Sequence, residues 1–398
     1  MVTLPGLTLT EEQLKFVESC EPPRAPGKKG KLVRITAAAG TGKTTTLLAT
    51  ALEAIDKGHR HITYLSFTRA AALDGKKRLY EALANAGITD PIEIDAKTLH
   101  SSAFQVLSEY QKRRKPEETM SNKIWSEKKL KRWIAQELDE SIEEFLAPCY
   151  AELGTRQQLS DRQKTATRQR ARDQVEFFLF KTLRNFCINS LSREEFGTPT
   201  FFGRDYFPAV IFHGKSGQGN SNLNRGEKLG FMPGVYKREV GWYADQICLL
   251  WDKISEENVS TFDTIMKRAQ LLKLRIPGSI LLVDESQDMD GCQAKFAAEY
   301  QVNYGTHVYV VGDAAQSIYG FRGAKSSHIM GLPIDQELML TESWRFGPGI
   351  ANIANLVLFS KEKSGQTNAG TGRKTWTPYR VKAGAIEKSS CVKKESLL

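Results

Sequence analysis

The apolar positions of this chain fall into short dense runs and longer spaced ones, and their alternation predicts the fold. LVRIT (32–36) and HITYLSF (61–67) are nearly continuous apolar runs, the pattern of strands buried on both faces. Helical spacing follows each, from about 43 to 57 and then to about 86, and IEID (92–95) reads as a third strand. Strands alternating with helices predict a parallel sheet with crossover helices. A short amphipathic helix is expected over 9–20, with Leu9 and Thr10 at its start, and the Pro/Gly/Lys-rich EPPRAPGKKGK after it is expected to be loop. The rhythm breaks after His100. Residues 103–195 are rich in Lys, Arg, Glu and Gln with scattered Leu, Phe and Trp, which predicts a helical insertion, and 196–235 are dense in Gly, Phe and Asn, which predicts irregular loop. Helices are expected near 236–254 and 258–273. SILLVDES (279–286), HVYVVGD (307–313) and ELMLTES (337–343) then resume the sheet, and the tail from about Lys361 to Leu398 is polar and basic.

Composition narrows the partner class. The 398 residues suffice for two or three domains, and 40% hydrophobic with 26% charged residues fits a soluble globular chain with real cores. Lys plus Arg exceed Asp plus Glu by 56 to 46, a formal +10. Such a balance favours a polyanion, because binding releases condensed counterions, although charge alone is a weak pointer to nucleic acid. Cys20, Cys149, Cys187, Cys248, Cys292 and Cys391 are scattered, without the spacing of a zinc site or a disulfide framework. The start, MVTLPGLTLTEEQ, lacks a basic leader with an apolar core, and no apolar run nears the roughly 20 residues that span a bilayer. The expectation is an intracellular protein with no membrane partner.

The chemistry begins at A-A-A-G-T-G-K-T (37–44), which ends in the G-K-T of a phosphate-binding loop and has Ala37 where the strict motif has Gly. Gly40 and Gly42 let successive N–H groups turn toward phosphates, and the following helix offers its positive end. The expected cradle is Ala37, Ala38, Ala39, Gly40, Thr41, Gly42, Lys43, Thr44 and Thr45, with Lys43 on the β/γ-phosphates and the Thr44 hydroxyl on Mg²⁺. ILLVDESQD supplies the acidic half of the site: Asp284 would hold Mg²⁺, directly or through water, and Glu285 would polarise the attacking water. ATP and Mg²⁺ are the expected ligands.

Asp284-Glu285-Ser286-Gln287-Asp288 matches the D-E-x-Q-D form of helicase motif II in the UvrD/Rep group of superfamily 1. V-G-D-A-A-Q-S-I-Y-G-F-R-G-A (311–324) resembles that group's motif III and L-T-E-S-W-R-F-G (340–347) its motif IV. L-T-E-E-Q (9–13) resembles the Q motif, F-T-R-A-A-A (67–72) motif Ia and T-L-H-S (98–101) motif Ib. Seven motifs in the family's order make a specific resemblance over about 8–380, though 105–255 match only in position. TFDTIMK, DESQD and LTESWRFGPGI together look most like the eukaryotic F-box DNA helicase branch.

The resemblance implies an ATP-dependent DNA helicase or translocase of 3′-to-5′ polarity, engaged in repair or recombination, acting on single-stranded DNA and single/double-strand junctions, and nuclear if eukaryotic. It implies a RecA-like α/β fold: a first domain in two parts (1–103 and 256–332), a mostly helical insertion (104–255), the start of a second RecA-like domain (333–385) and a tail (386–398). Gln13 would read the adenine edge, Gln316 would contact the γ-phosphate, and Arg345 would be an arginine finger. Phe67, Thr68, Thr98 and His100 would line the DNA path, and Tyr319 and Phe321 would stack on bases, with Phe321 standing where the family usually has Trp. Core packing for Tyr319 and Phe321, and a structural hydrogen bond for His100, are the competing readings. Arg69 departs from the family's Asn-Lys. The basic stretches QKRRK (111–115) and RQKTATRQRAR (162–172) either touch DNA backbone or form a solvated helical face. Motifs V and VI are not found in 361–398, so a truncated product or incomplete gene is expected, with ATP and single-strand binding, slow hydrolysis and little unwinding. The alternatives are a truncated ATP/ssDNA-binding module without turnover and, on the loop alone, a small-molecule kinase.

Overall fold

A computed structural model describes residues 8–114, 124–155, 160–196, 240–318, 326–363 and 380–381. The chain divides into two units, one built from the segments before Tyr110 and after Ala269, the other from Gln111–Arg268.

The first unit is organised by a six-stranded sheet in the order β3-β2-β4-β5-β1-β6, parallel throughout. Its strands are β1 (Leu32–Ala37), β2 (His61–Ser66), β3 (Glu93–Thr98), β4 (Ile280–Val283), β5 (His307–Gly312) and β6 (Gln336–Leu340). β4 and β5 are buried at every position, as expected of central strands covered on both faces. Four helices belong to the N-terminal part: α1 (Glu11–Glu18), α2 (Lys43–Asp56), α3 (Arg69–Asn85) and α4 (Leu99–Arg114). Thr10 and Gln13 form a reciprocal capping box that starts α1, and the Thr68 hydroxyl caps α3. Phe16, Val33, Ile35, Leu47, Leu52, Tyr64, Leu79, Ile280, Leu282 and Tyr309 pack in one core cluster. The parallel α/β fold is therefore as expected.

The end of the sheet differs in one respect. ELMLTES was expected both to resume the sheet and to fall at the start of a second domain (333–385); Gln336–Leu340 joins the sheet, beside β1, from Val33↔Gln336 to Ala37↔Leu340. The chain leaves this sheet only after Leu340, where β7 (Glu342–Ser343) pairs with β8 (Arg380–Val381). Apolar spacing marks a strand but does not say which sheet receives it.

The second unit is helical, with α5 (Glu127–Glu137), α6 (Asp139–Thr155), α7 (Asp161–Ile188), α8 (Arg193–Phe196), α9 (Val240–Glu256) and most of α10 (Phe262–Leu271). The unit runs from Gln111 to Arg268, and the expected insertion was 104–255. Along α7 the buried residues Thr167, Ala171, Val175, Leu179, Leu183 and Phe186 recur at helical spacing and make its inward stripe. Lys267 is fully buried there; its ammonium donates to the carbonyls of Asn189 (3.0 Å) and Leu191 (2.5 Å) and lies over the Phe186 ring. The expected irregular loop at 196–235 lies almost wholly outside the described residues. Among the described residues, no helix is long and apolar enough to cross a membrane.

At the amino ends of the strands of the first unit, two histidines pin the loop after α1. The backbone N–H of Lys31 donates to His307 Nδ1 (3.2 Å), which leaves Nε2 to donate to the Pro22 carbonyl (3.0 Å). His59 Nε2 lies 2.9 Å from the Glu21 carbonyl, Nδ1 lies 2.7 Å from Ser279 Oγ, and the rings meet edge to face. Burial, chiefly, holds both imidazoles below the ordinary histidine range. The unfolded chain therefore takes up protons that the folded one refuses, and stability falls as pH drops below about 6.5. The urea midpoint should decline between pH 7 and 5, and less steeply in His307→Gln, whose amide can donate to Pro22 without titrating. Parallel declines in both proteins would contradict this.

Candidate active site

The loop between β1 and α2 is shaped by two glycines in left-handed backbone, Gly40 at φ 75° and Gly42 at φ 79°. Neither position has room for a side chain: a Cβ on Gly40 would lie 2.4 Å from Arg345 Cβ, and one on Gly42 would lie 2.7 Å from Gln13 Nε2. The carbonyls of the loop are held by neighbours. Ala38 O accepts from Thr41 Oγ1 (2.8 Å), Ala39 O from Ser343 Oγ (2.8 Å), Gly40 O from the Trp344 N–H (3.0 Å) and Thr41 O from Gln13 Nε2 (3.1 Å). With the carbonyls so engaged, the N–H edge and the positive end of α2 set the loop's polarity toward an anion.

The acidic half arrives on β4. Its last residue, Val283, precedes Asp284, whose N–H donates to the Leu65 carbonyl (2.9 Å) and whose side chain is only 6% exposed. Asp284 Oδ2 accepts from Thr44 Oγ1 (3.0 Å) and Tyr64 Oη (2.7 Å), and Oδ1 accepts from the Glu285 N–H (2.9 Å). Burial pushes this carboxyl above its usual range, while the Tyr64 and Thr44 bonds favour its charged form. Burial, with the facing carboxylate, also pushes the Tyr64 phenol up, so it remains a donor. Glu285 stands at φ 53°, a left-handed conformation that costs a residue with a side chain of order 1–3 kcal/mol. Its Oε2 accepts from Gln287 Nε2 (2.8 Å), Gln287 Oε1 accepts from the Asp313 N–H (3.0 Å), and Asp313 Oδ2 accepts from Gln316 Nε2 (2.7 Å). Burial raises the Asp313 carboxyl, and the charge of Lys43 opposes it. A hydroxyl and a buried carboxylate are hard oxygen donors of the type Mg²⁺ takes, beside a cradle suited to phosphate; the residues fit a magnesium nucleotide.

Residues 21–335 match the UvrD/REP helicase N-terminal domain, most of the chain. The chain belongs to that family. It is 24% identical over 355 residues to the ATP-dependent DNA helicase SRS2 of Saccharomyces cerevisiae, an alignment covering 85% of this chain and 26% of that protein. Against the F-box DNA helicase 1 of Gallus gallus it is 26% identical over 339 residues, 83% of this chain and 26% of the other. A shorter match, 39% over 83 residues, joins it to the F-box DNA helicase protein 1 of Schizosaccharomyces pombe, covering 20% of this chain and 9% of the relative. The chain thus spans about a quarter or less of the length of these relatives.

The expected nucleotide residues are brought together: Gln13, the loop 37–45, Asp284 and Glu285, with Gln316 joined through Asp313 and Gln287 and the Arg345 backbone set against Gly40. The expected DNA residues form a second group. Phe67 and Thr68 follow β2, Thr98 ends β3 and His100 is the second residue of α4, and the register Ser66↔Thr98 sets those strand ends side by side. The Thr68 and Thr98 hydroxyls each accept a backbone N–H three residues on, from Ala71 and Ser101. Tyr319 and Phe321 lie outside the described residues.

Several residues of this site gave no signal in the sequence, or one that went unread. Tyr64 gave no signal beyond an aromatic in a strand, and Gln287 and Asp313 sat unremarked inside recognised motifs. Trp344, 44% exposed beside Gly40, could have been noticed as an aromatic next to Arg345. Glu12 was also missed: its carboxylate accepts from the Thr341 N–H and hydroxyl, both at 2.6 Å, where the chain leaves the sheet.

Gly312 allows motif III to approach motif II. A Cβ there would lie 2.6 Å from Ser286 Oγ and 2.8 Å from Gln287 Oε1. Gly312→Ala should lower unfolding stability by about 1–3 kcal/mol, measured by urea denaturation. Gly349→Ala, with open space around it in a helix, should be neutral or mildly stabilising. Equal effects of the two substitutions would show that the approach is not tight.

Proposed function

We propose that this chain is the nucleotide-binding part of an ATP-dependent DNA helicase or translocase, hydrolysing ATP in response to single-stranded DNA. The observation that carries the reading is the Thr44–Asp284 hydrogen bond, which joins the phosphate loop to the acidic strand across 240 residues of sequence. Membership of the UvrD/REP family supports it, as do relatives named DNA helicases.

In this reading the loop amides and Lys43 bind the phosphates, and Gln13 and the exposed Trp344 ring flank the base, one by hydrogen bonds and one by stacking. Thr44 and Asp284 hold Mg²⁺, whose contribution when bound is to neutralise charge on the phosphates. Glu285 orients and deprotonates water, and its left-handed backbone aims the carboxylate while Gln287 steadies it. Gln316 relays the phosphate state to motif III, and Arg345 stabilises charge on the far side. Phe67, Thr68, Thr98 and His100 contact the strand, with Tyr319 and Phe321 as base-stacking candidates. Opening one base-pair step costs about 1.4 kcal/mol, well within what one ATP supplies. Polarity of 3′ to 5′, junction substrates, a role in repair or recombination and a nuclear location belong to the same proposal.

Phosphate release with and without single-stranded DNA tests it. Wild type should be stimulated by DNA, and Lys43→Ala should lose on the order of 10²-fold or more in rate. Equal, DNA-independent rates in the two would refute the reading. Binding of a fluorescent ATP analogue without phosphate release would instead indicate a binding module.

A further inference from the structure

We infer that Tyr64 is a positioning residue for the carboxylate of Asp284, and that Gly75 exists to make room for it. This rests on the magnesium-nucleotide reading of the site. Tyr64 lies at the middle of β2, is essentially fully buried, and is among the largest such side chains of the protein. A phenylalanine would fill that core equally well; a tyrosine there must find a partner for its hydroxyl. The partner is Asp284 Oδ2, at 2.7 Å.

The ring reaches that position because α3 gives way to it. A Cβ on Gly75 would lie 2.4 Å from Tyr64 Cε1, 2.8 Å from Cζ and 2.9 Å from Cδ1. Glycine is disfavoured within a helix, and Gly75 is in the interior of α3 with an unremarkable backbone, so its role is the space it leaves.

Three donors fix the plane of the carboxylate: the Glu285 N–H on Oδ1, and Thr44 Oγ1 and Tyr64 Oη on Oδ2. The first is tied to a strained backbone, and the second belongs to a residue that would itself ligate the metal. Tyr64 holds the carboxylate from the protein side alone, as a supporting partner behind a metal ligand does.

The test uses Mn²⁺ as the probe, titrated into the full chain saturated with ADP and followed by the electron paramagnetic resonance signal of free Mn²⁺. Tyr64→Phe keeps the ring and removes the hydroxyl. It should weaken Mn²⁺ binding about tenfold, leave metal-free ADP binding unchanged, and raise the Mg²⁺ requirement for phosphate release more than it lowers the rate at saturating Mg²⁺. Gly75→Ala, which displaces the ring, should shift Mn²⁺ binding in the same direction. Urea unfolding without ligands establishes that each variant is folded; should one not fold, the other decides. If folded variants bind Mn²⁺ within twofold of wild type, Tyr64 is only core and the inference fails, with the nucleotide site intact. If wild type itself binds no Mn²⁺ with ADP, the nucleotide reading fails and this inference with it.

Discussion

A carboxylate at the end of a central strand, nearly out of reach of water, is the constraint around which this structure is arranged. Burying a charged Asp284 is unfavourable unless several donors surround it. The sheet order supplies them: β4 lies between β2 and β5, so Tyr64 can reach across from one neighbour, while Thr44 comes from the loop after β1, two strands away on the other side. Those donors come from regions of sequence far apart, so they meet only when the parallel sheet has formed. The local features follow from this crowding. Gly312 lacks a side chain because Ser286 and Gln287 occupy the space, and Glu285 turns left-handed immediately after the buried carboxylate.

The phosphate loop is constrained from its other side by the strand that leaves the sheet. Ser343 and Trp344 hydrogen-bond to Ala39 and Gly40, while Glu12 holds Thr341 and its neighbour Gln13 holds Thr41. One turn of α1 therefore grips both the loop and the chain just beyond β6. A change in the loop's carbonyls, such as nucleotide binding would bring, has a short route to the point where the chain departs from the first sheet. The route runs through hydrogen bonds to backbone carbonyls, while Gly40 must stay without a side chain for Ser343 and Arg345 to approach.

How much of this was legible in the sequence follows from the range of each interaction. Strands with continuous apolar runs, such as Ile280–Val283 and His307–Gly312, were placed within a residue or two because burial on both faces leaves an unambiguous pattern. The Lys43 loop and the Asp284-Glu285 pair were legible because their chemistry requires fixed residue types at short spacing. Gln336–Leu340 was read as resuming the sheet, but its place beside β1 was not legible, since strand pairing is a long-range choice among edges. Neither was Tyr64, whose hydroxyl meets a partner 220 positions away. Glu12 escaped for the same reason: a glutamate in the first turn of a helix is already explained by the helix dipole. Gly40 and Gly42 were read as the points where the loop bends, and both lie in left-handed backbone.

Net charge was the weakest of the sequence signals, and the structure explains why. The basic run on α7 looks like a polyanion face when counted, yet three of its five cations have partners within their own unit. Arg172 reaches Asp139, Glu143 and Glu176, Arg168 lies over the Tyr150 ring, and Lys164 donates to the Gly154 carbonyl. The same holds for Lys253 with Glu137 and Arg193 with Asp252. Cations so paired project less field than their number suggests, and at moderate ionic strength the remainder is screened within about 10 Å. The residues expected to line a DNA path stand in the first unit instead, with Phe67 and Thr68 just after β2, Thr98 at the end of β3 and His100 in the first turn of α4.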